Sequence, residues 1–189
     1  RFTSLKSLVK KPSLFRKCIE FLNLPYIKNY VLVNSRSYDL ALENKNNLSE
    51  EKIVLLDFMV NNGENRAIRG DLPKEDFDNH YKYLIKFLKK IEFLFKKKII
   101  ICIHPRDNYS EKKKIFKDFE VIQFKTGENI LNSFLVLFFD TSAIIDAIIL
   151  KKRIITLQSD FLGKVMKGAS DKYKNQVGIL QFNIKDDEK

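Results

Sequence analysis

A chain of 189 residues, 44% of them hydrophobic with 16 Phe and no Trp, carries enough apolar side chain to bury a core, which excludes a disordered polymer and favours one domain with at most an appendage. Lys and Arg outnumber Asp and Glu by 35 to 24, a formal charge of +11 that favours anions, although a generally Lys-rich composition accounts for part of it. The lysines are scattered, with short clusters at Lys96-Lys97-Lys98 and Lys112-Lys113-Lys114 and no basic stripe interleaved with aromatics, so nucleic acid is not the expected partner.

Residues 1–51 read as an amino-terminal extension or the remnant of a preceding domain. Pro12 suits the first turn of a helix, and Leu14, Phe15, Cys18, Ile19 and Leu22 follow at helical spacing until Asn23-Leu24-Pro25 breaks it. Tyr30 to Asn34 is a short strand candidate, and Glu43 to Asn47 a polar connection.

Residues 52–184 alternate between strands and helices. Lys52 to Phe58 is an apolar strand followed by the turn-like Asn61-Asn62-Gly63-Glu64 and a polar stretch holding Arg66 and Arg69. A helix is predicted from near Pro73, with Glu75 and Asp76 in its first turn, lysines at its far end and an apolar stripe through Phe77, Tyr81, Leu84, Leu88, Ile91 and Phe95. Lys98 to Ile103 is a run of branched apolar residues, the pattern of a parallel strand covered on both faces, and it stops at His104-Pro105-Arg106. A short basic helix over Ser110 to Phe119, a strand over Glu120 to Phe124 and a brief helix over Gly127 to Ser133 follow. Then come a strand at Phe134 to Phe139, a helix at Thr141 to Lys151, a strand at Arg153 to Leu157, an irregular helical segment at Asp160 to Asn175 and a last strand within Val177 to Ile184. Residues 185–189 are a charged tail. The predicted fold is α/β, a Rossmann-like, mostly parallel sheet flanked by helices.

Ligands of such sheets sit outside the carboxyl ends of the strands. There Asp140-Thr141-Ser142 opens a predicted helix whose first-turn N–H groups, with the hydroxyls of Thr141 and Ser142, favour a phosphate; the alternative is that these hydroxyls only cap their helix. His104 can donate to a phosphate oxygen and Arg106 is a planar double donor, so His104, Arg106, Thr141 and Ser142 are the candidate phosphate-binding residues, against the plainer reading that Pro105 merely ends its strand. Asn61, Asn62 and Gly63 are candidates for a donor loop on the same edge. Asp57 could orient a loop there, and His80 reads as a surface or packing histidine. No dinucleotide fingerprint or P-loop occurs, and two histidines without clustered carboxylates argue against a metal site. Cys18 and Cys102 give neither a disulfide framework nor a zinc spacing, and Cys102 falls inside an apolar strand. No apolar run reaches the roughly 18 residues that cross a bilayer and no signal-like segment is read, so the expected setting is cytoplasmic.

The order of Ile99-Ile100-Ile101-Cys102-Ile103-His104-Pro105-Arg106, then Phe138-Phe139-Asp140-Thr141-Ser142-Ala143-Ile144-Ile145-Asp146-Ala147, then Lys152 to Leu157, resembles the carboxyl-terminal nucleotide-binding half of GT-B glycosyltransferases that build bacterial surface polysaccharides. Among these it is most similar to the sialyltransferase and polysialyltransferase group. The resemblance implies a metal-independent, inverting transferase without a cofactor, acting from a CMP-sugar onto a capsule or lipooligosaccharide glycan or glycolipid. It implies that His104 contacts the CMP phosphate and protonates the departing CMP, with Thr141 and Ser142 on the same phosphate. The family's catalytic base is a carboxylate in an acidic motif that has no match here, and Asn61-Asn62-Gly63 offers only neutral amides. A sugar-nucleotide epimerase, a glycerophosphotransferase-like enzyme and a non-catalytic nucleotide-binding module are the alternatives. The positive charge suits peripheral contact with an anionic membrane at the inner face.

Overall fold

The computed structural model describes residues 51–58 and 73–185. All fall in one of the two units into which the chain divides; the other, Arg1–Asn34, lies outside them. The amino-terminal helix and strand, the Asn61-Asn62-Gly63 loop, and the charged tail beyond Lys185 therefore lie outside the described residues.

The strands are β1 (Lys52–Leu56), β2 (Lys98–Ile103), β3 (Glu120–Gln123), β4 (Ser133–Phe138), β5 (Arg153–Gln158) and β6 (Leu180–Asn183). Every pairing among them is parallel, in the order β3-β2-β1-β4-β5-β6. That order reverses direction between β1 and β4, the position where doubly wound sheets open a crevice at their carboxyl edge. The helices between strands are α1 (Lys74–Phe95), α2 (Tyr109–Ile115), α3 (Thr126–Leu131), α4 (Ile144–Ile149) and α5 (Gly163–Lys172), the last continued by a wider turn over Tyr173–Val177.

The strands lack polar alternation because both faces are covered. In β1, Ile53 and Leu55 join Ile99, Ile101, Leu135 and Leu137 on one face, beneath Tyr81, Leu84 and Leu88 of α1. Val54 and Leu56 join Ile100, Cys102, Val136 and Phe138 on the other, against Ile130 of α3 and Ile144 and Ala147 of α4. Each buried Val, Leu, Ile or Phe among them contributes about 1.5–3 kcal/mol, so the two faces together set the register. Burial also pushes the Cys102 thiol up to about 12, which leaves it an inert packing group.

Two expectations change. The helix expected from Thr141 to Lys151 is only Ile144–Ile149, because Thr141, Ser142 and Ala143 form tighter turns through Ile144 N–H to Thr141 O (3.3 Å), Ile145 N–H to Ser142 O (3.1 Å) and Asp146 N–H to Ala143 O (3.2 Å). The last turn of α1 contains no lysine; it is Glu92-Phe93-Leu94-Phe95, and Lys96 follows in the left-handed conformation with φ 49°.

After α4, Lys151 N–H bonds Ile148 O at 3.0 Å and Lys152 N–H bonds Ala147 O at 2.9 Å, a paired helix stop in which Lys151 takes φ 52°. A β-carbon is strained there, and glycine is not. Lys151→Gly is therefore expected to raise unfolding free energy by about 1 kcal/mol, read from the urea midpoint.

Candidate functional site

β2 ends in a tight turn. Pro105 takes the second position and Asp107 N–H closes it on His104 O at 2.9 Å. The Arg106 N–H donates to His104 Nδ1 at 3.1 Å. Since that nitrogen accepts, the neutral imidazole carries its proton on Nε2. The turn is braced from the next strand, where the Gln123 amide points at the carbonyls of His104 (3.3 Å), Pro105 (3.2 Å) and Asp107 (3.1 Å). Sequence reading did not single out Gln123; a polar residue at the end of an apolar strand beside His104 was its signal.

His104 and Thr141 share a cleft. With Asp57, Pro105, Thr126 and Ala143 they line a cleft of about 50 Å³ at the carboxyl ends of β1, β2 and β4. The Thr141 hydroxyl accepts from Ala143 N–H at 3.3 Å, so it caps the turn and still lines the cleft. Arg106 and Ser142 are exposed and do not line it. The predicted group of four is thus placed as a pair, His104 with Thr141, and two flanking residues. Beside it a groove of about 520 Å³ is lined by Asp140, Lys164, Gly168, Lys172, Tyr173 and Gln176. Asp140 and Thr141 are consecutive, so the cleft and the groove adjoin. Tyr173 Oη donates to Asp140 Oδ1 at 3.4 Å; partial burial, then the aspartate, push this phenol up and keep it a donor.

Beneath the cleft is a buried charge that belongs to the short Lys112-Lys113-Lys114 cluster. Lys112 of α2 is buried, and its ammonium lies 2.5 Å from Asp57 Oδ2, 2.5 Å from Tyr81 Oη and 3.4 Å from Asp107 Oδ2. Burial alone would lower its pKa, but Asp57 and then Tyr81 outweigh that and hold the ammonium above its ordinary range. Burial pushes the Asp57 carboxyl up against the opposing pull of Lys112. Asp57 is therefore the fixed partner of a buried cation at the end of β1. His80 is also buried, with Nδ1 3.0 Å from Ser159 Oγ and edge contacts to Tyr81 and Phe139. It is a packing histidine, as one of its two sequence readings had it.

Among the described residues no group of three or more His, Cys, Asp or Glu is placed to hold a metal, and no helix is long and apolar enough to cross a membrane. No protein-family model and no curated protein matches the chain. Among solved structures the chain is similar to the Methanocaldococcus jannaschii UDP-GlcNAc 2-epimerase in complex with UDP-GlcNAc and UDP, with 19% sequence identity and a TM-score of 0.46 over 92% of this chain and 49% of that one. The chain thus spans about half the length of that protein.

Two outcomes follow from the buried charges. Lys112→Met leaves Asp57 without its cation and is expected to cost about 3–5 kcal/mol in chemical denaturation, whereas Lys112→Met with Asp57→Leu is expected to recover most of that loss. For His80, burial and then Lys112 lower the pKa to about 3 from 6.5. Below pH 6.5 the unfolded chain binds a proton that the folded chain refuses, so stability falls as pH drops from 6.5 toward 3. His80→Gln should flatten that slope relative to the unsubstituted chain by about 1.4 kcal/mol per pH unit, measured as unfolding free energy at successive pH values.

Proposed function

We propose that this chain supplies the nucleotide-sugar-binding half of a GT-B-type sugar transferase, with the donor phosphate at the His104–Thr141 cleft. The supporting observation is the convergence of His104 and Thr141 at the point where strand order reverses. A proton on His104 Nε2 suits a hydrogen bond to a phosphate oxygen, whereas protonating the leaving nucleotide requires the imidazolium, with Nδ1 protonated and turned from the Arg106 N–H. The cleft is small, about the volume of one or two waters, and suits a phosphoryl group rather than a whole ligand. The adjoining groove has the volume range of small-molecule sites and carries Lys164 and Lys172, which favour an anionic ligand. In this reading the nucleoside lies toward the groove, and Arg106 and Ser142 approach the phosphate from the rim.

The donor proposed is a CMP-sugar, with sialic acid as the sugar and a surface glycan or glycolipid as acceptor; the support is the resemblance of the His104-Pro105-Arg106 and Asp140-Thr141-Ser142 segments to the bacterial sialyltransferase group. The acceptor hydroxyl needs a base. Asp57 is the only carboxylate lining the cleft among the described residues, and its side chain is fully enclosed and bound to Lys112. It holds the cleft's shape and does not meet an acceptor. The base is then a residue outside the described part.

A thermal-shift panel of CMP, CDP, UDP and GDP on the full chain tests the reading. CMP at 100 times its Kd should stabilise the fold by about 2.7 kcal/mol. His104→Ala and Thr141→Ala should each weaken CMP binding about tenfold or more in calorimetry, with the unliganded chain still unfolding cooperatively at a melting temperature lowered by no more than the loss of one turn hydrogen bond. No response to any nucleotide would overturn the site, and a UDP preference would overturn the sialyltransferase branch alone.

A further inference from the structure

The end of the sheet opposite the cleft has its own chemistry. All six described strands are parallel, so the segments that enter them converge on one edge. Two of these segments are basic triplets, Lys96-Lys97-Lys98 entering β2 and Lys151-Lys152-Arg153 entering β5. β2 and β5 are three strand spacings apart in the sheet, about 14 Å. Between them, Phe134 at the start of β4 lies under Lys97 at 5.0 Å and Arg153 at 4.7 Å from its ring centre, and Phe95 packs on it at 5.6 Å. Above this stands the last turn of α1, with Phe93 81%, Leu94 60% and Phe95 42% exposed. The acidic groups nearby are partly engaged: Glu92 accepts from Ile99 N–H and Asp118 pairs with Lys89, while Glu51 immediately precedes β1 and Glu120 begins β3.

We infer that this edge is a docking surface for an anionic lipid bilayer, with Phe93 and Leu94 entering the interface and the two basic triplets on the headgroups. The shape decides between occupants. Successive helix residues are about 100° apart, so Phe93 to Phe95 sweep about 200° of the helix circumference. A rigid protein groove covers one face of a helix, whereas a fluid interface accepts apolar side chains on all sides of a protruding tip. The surrounding lysines can extend their stems along the apolar surface and put their charge at the headgroups. This inference does not depend on what the carboxyl-edge cleft binds.

Co-sedimentation of the full chain with phosphatidylcholine vesicles, with and without phosphatidylglycerol, is the test. Binding is expected only where phosphatidylglycerol is present, and it should fall as salt is raised. Phe93→Ser with Leu94→Ser should weaken it about tenfold or more, and Lys96→Gln with Lys98→Gln about fivefold per lysine. All four side chains are exposed, so the variants keep the fold. Phe124, 73% exposed after β3 on the opposite edge, is the control, and Phe124→Ser should bind as the unsubstituted chain does. Equal binding to both vesicle types, binding to neither, or an equal loss in Phe124→Ser would overturn the inference. So would a dimer in sedimentation equilibrium that Phe93→Ser with Leu94→Ser dissolves, since a second copy would then be the occupant.

Discussion

The carboxyl edge of the sheet depends on one ammonium group. Lys112 reaches Asp57 at the end of β1, Tyr81 on α1 and Asp107 in the turn after β2, so three separately encoded segments share a single cation. Enclosing that cation costs several kcal/mol of hydration, and the attraction of Asp57 offsets much of it without making the pair a large net gain. Its effect is on geometry. With Lys112 in place the end of β1 and the His104 turn hold one spacing, and the cleft between them keeps its width. Gln123 fixes the same turn from the other side.

The strands were the most legible part of the chain. Lys98 to Ile103 forms a strand with the expected ends because an unbroken branched run, with charged residues before it and His104-Pro105 after it, leaves no other comfortable conformation. The placement of His104 and Thr141 on one cleft was legible too, since both follow strands that flank β1. Loop conformation was not. A sequence cannot show whether Thr141 opens an α-helix or a tighter turn, and the tighter turn leaves Ser142 exposed instead of beside Thr141 in the cleft. Lys112 looked like its neighbours Lys113 and Lys114. The clue was its spacing four residues before buried Phe116, which puts it on the inward face of α2.

The last turn of α1 is a second case where pattern and structure part. An apolar stripe at helical spacing explains Leu84, Leu88 and Ile91, yet Phe93 and Leu94 fall off that stripe and stay exposed. Lys96 then stops the helix in a left-handed conformation that usually goes to glycine or asparagine, so a charged side chain stands where a smaller residue would be less strained. Core packing explains neither feature. Both put apolar bulk and positive charge at the rim of the sheet.

A wholly parallel sheet sorts chemistry by edge. Residues that leave strands gather at one end and residues that enter them gather at the other, however far apart they are in sequence. Here the leaving edge holds His104, Thr141 and Asp140, and the entering edge holds the two basic triplets. A strand of six residues separates them by about 20 Å. A protein docked by its basic edge would therefore hold its cleft about that far above the headgroups, facing away from them. A lipid-linked acceptor would have to extend its glycan across that distance, so the two proposals together favour an acceptor with a long chain over a sugar set directly on the lipid.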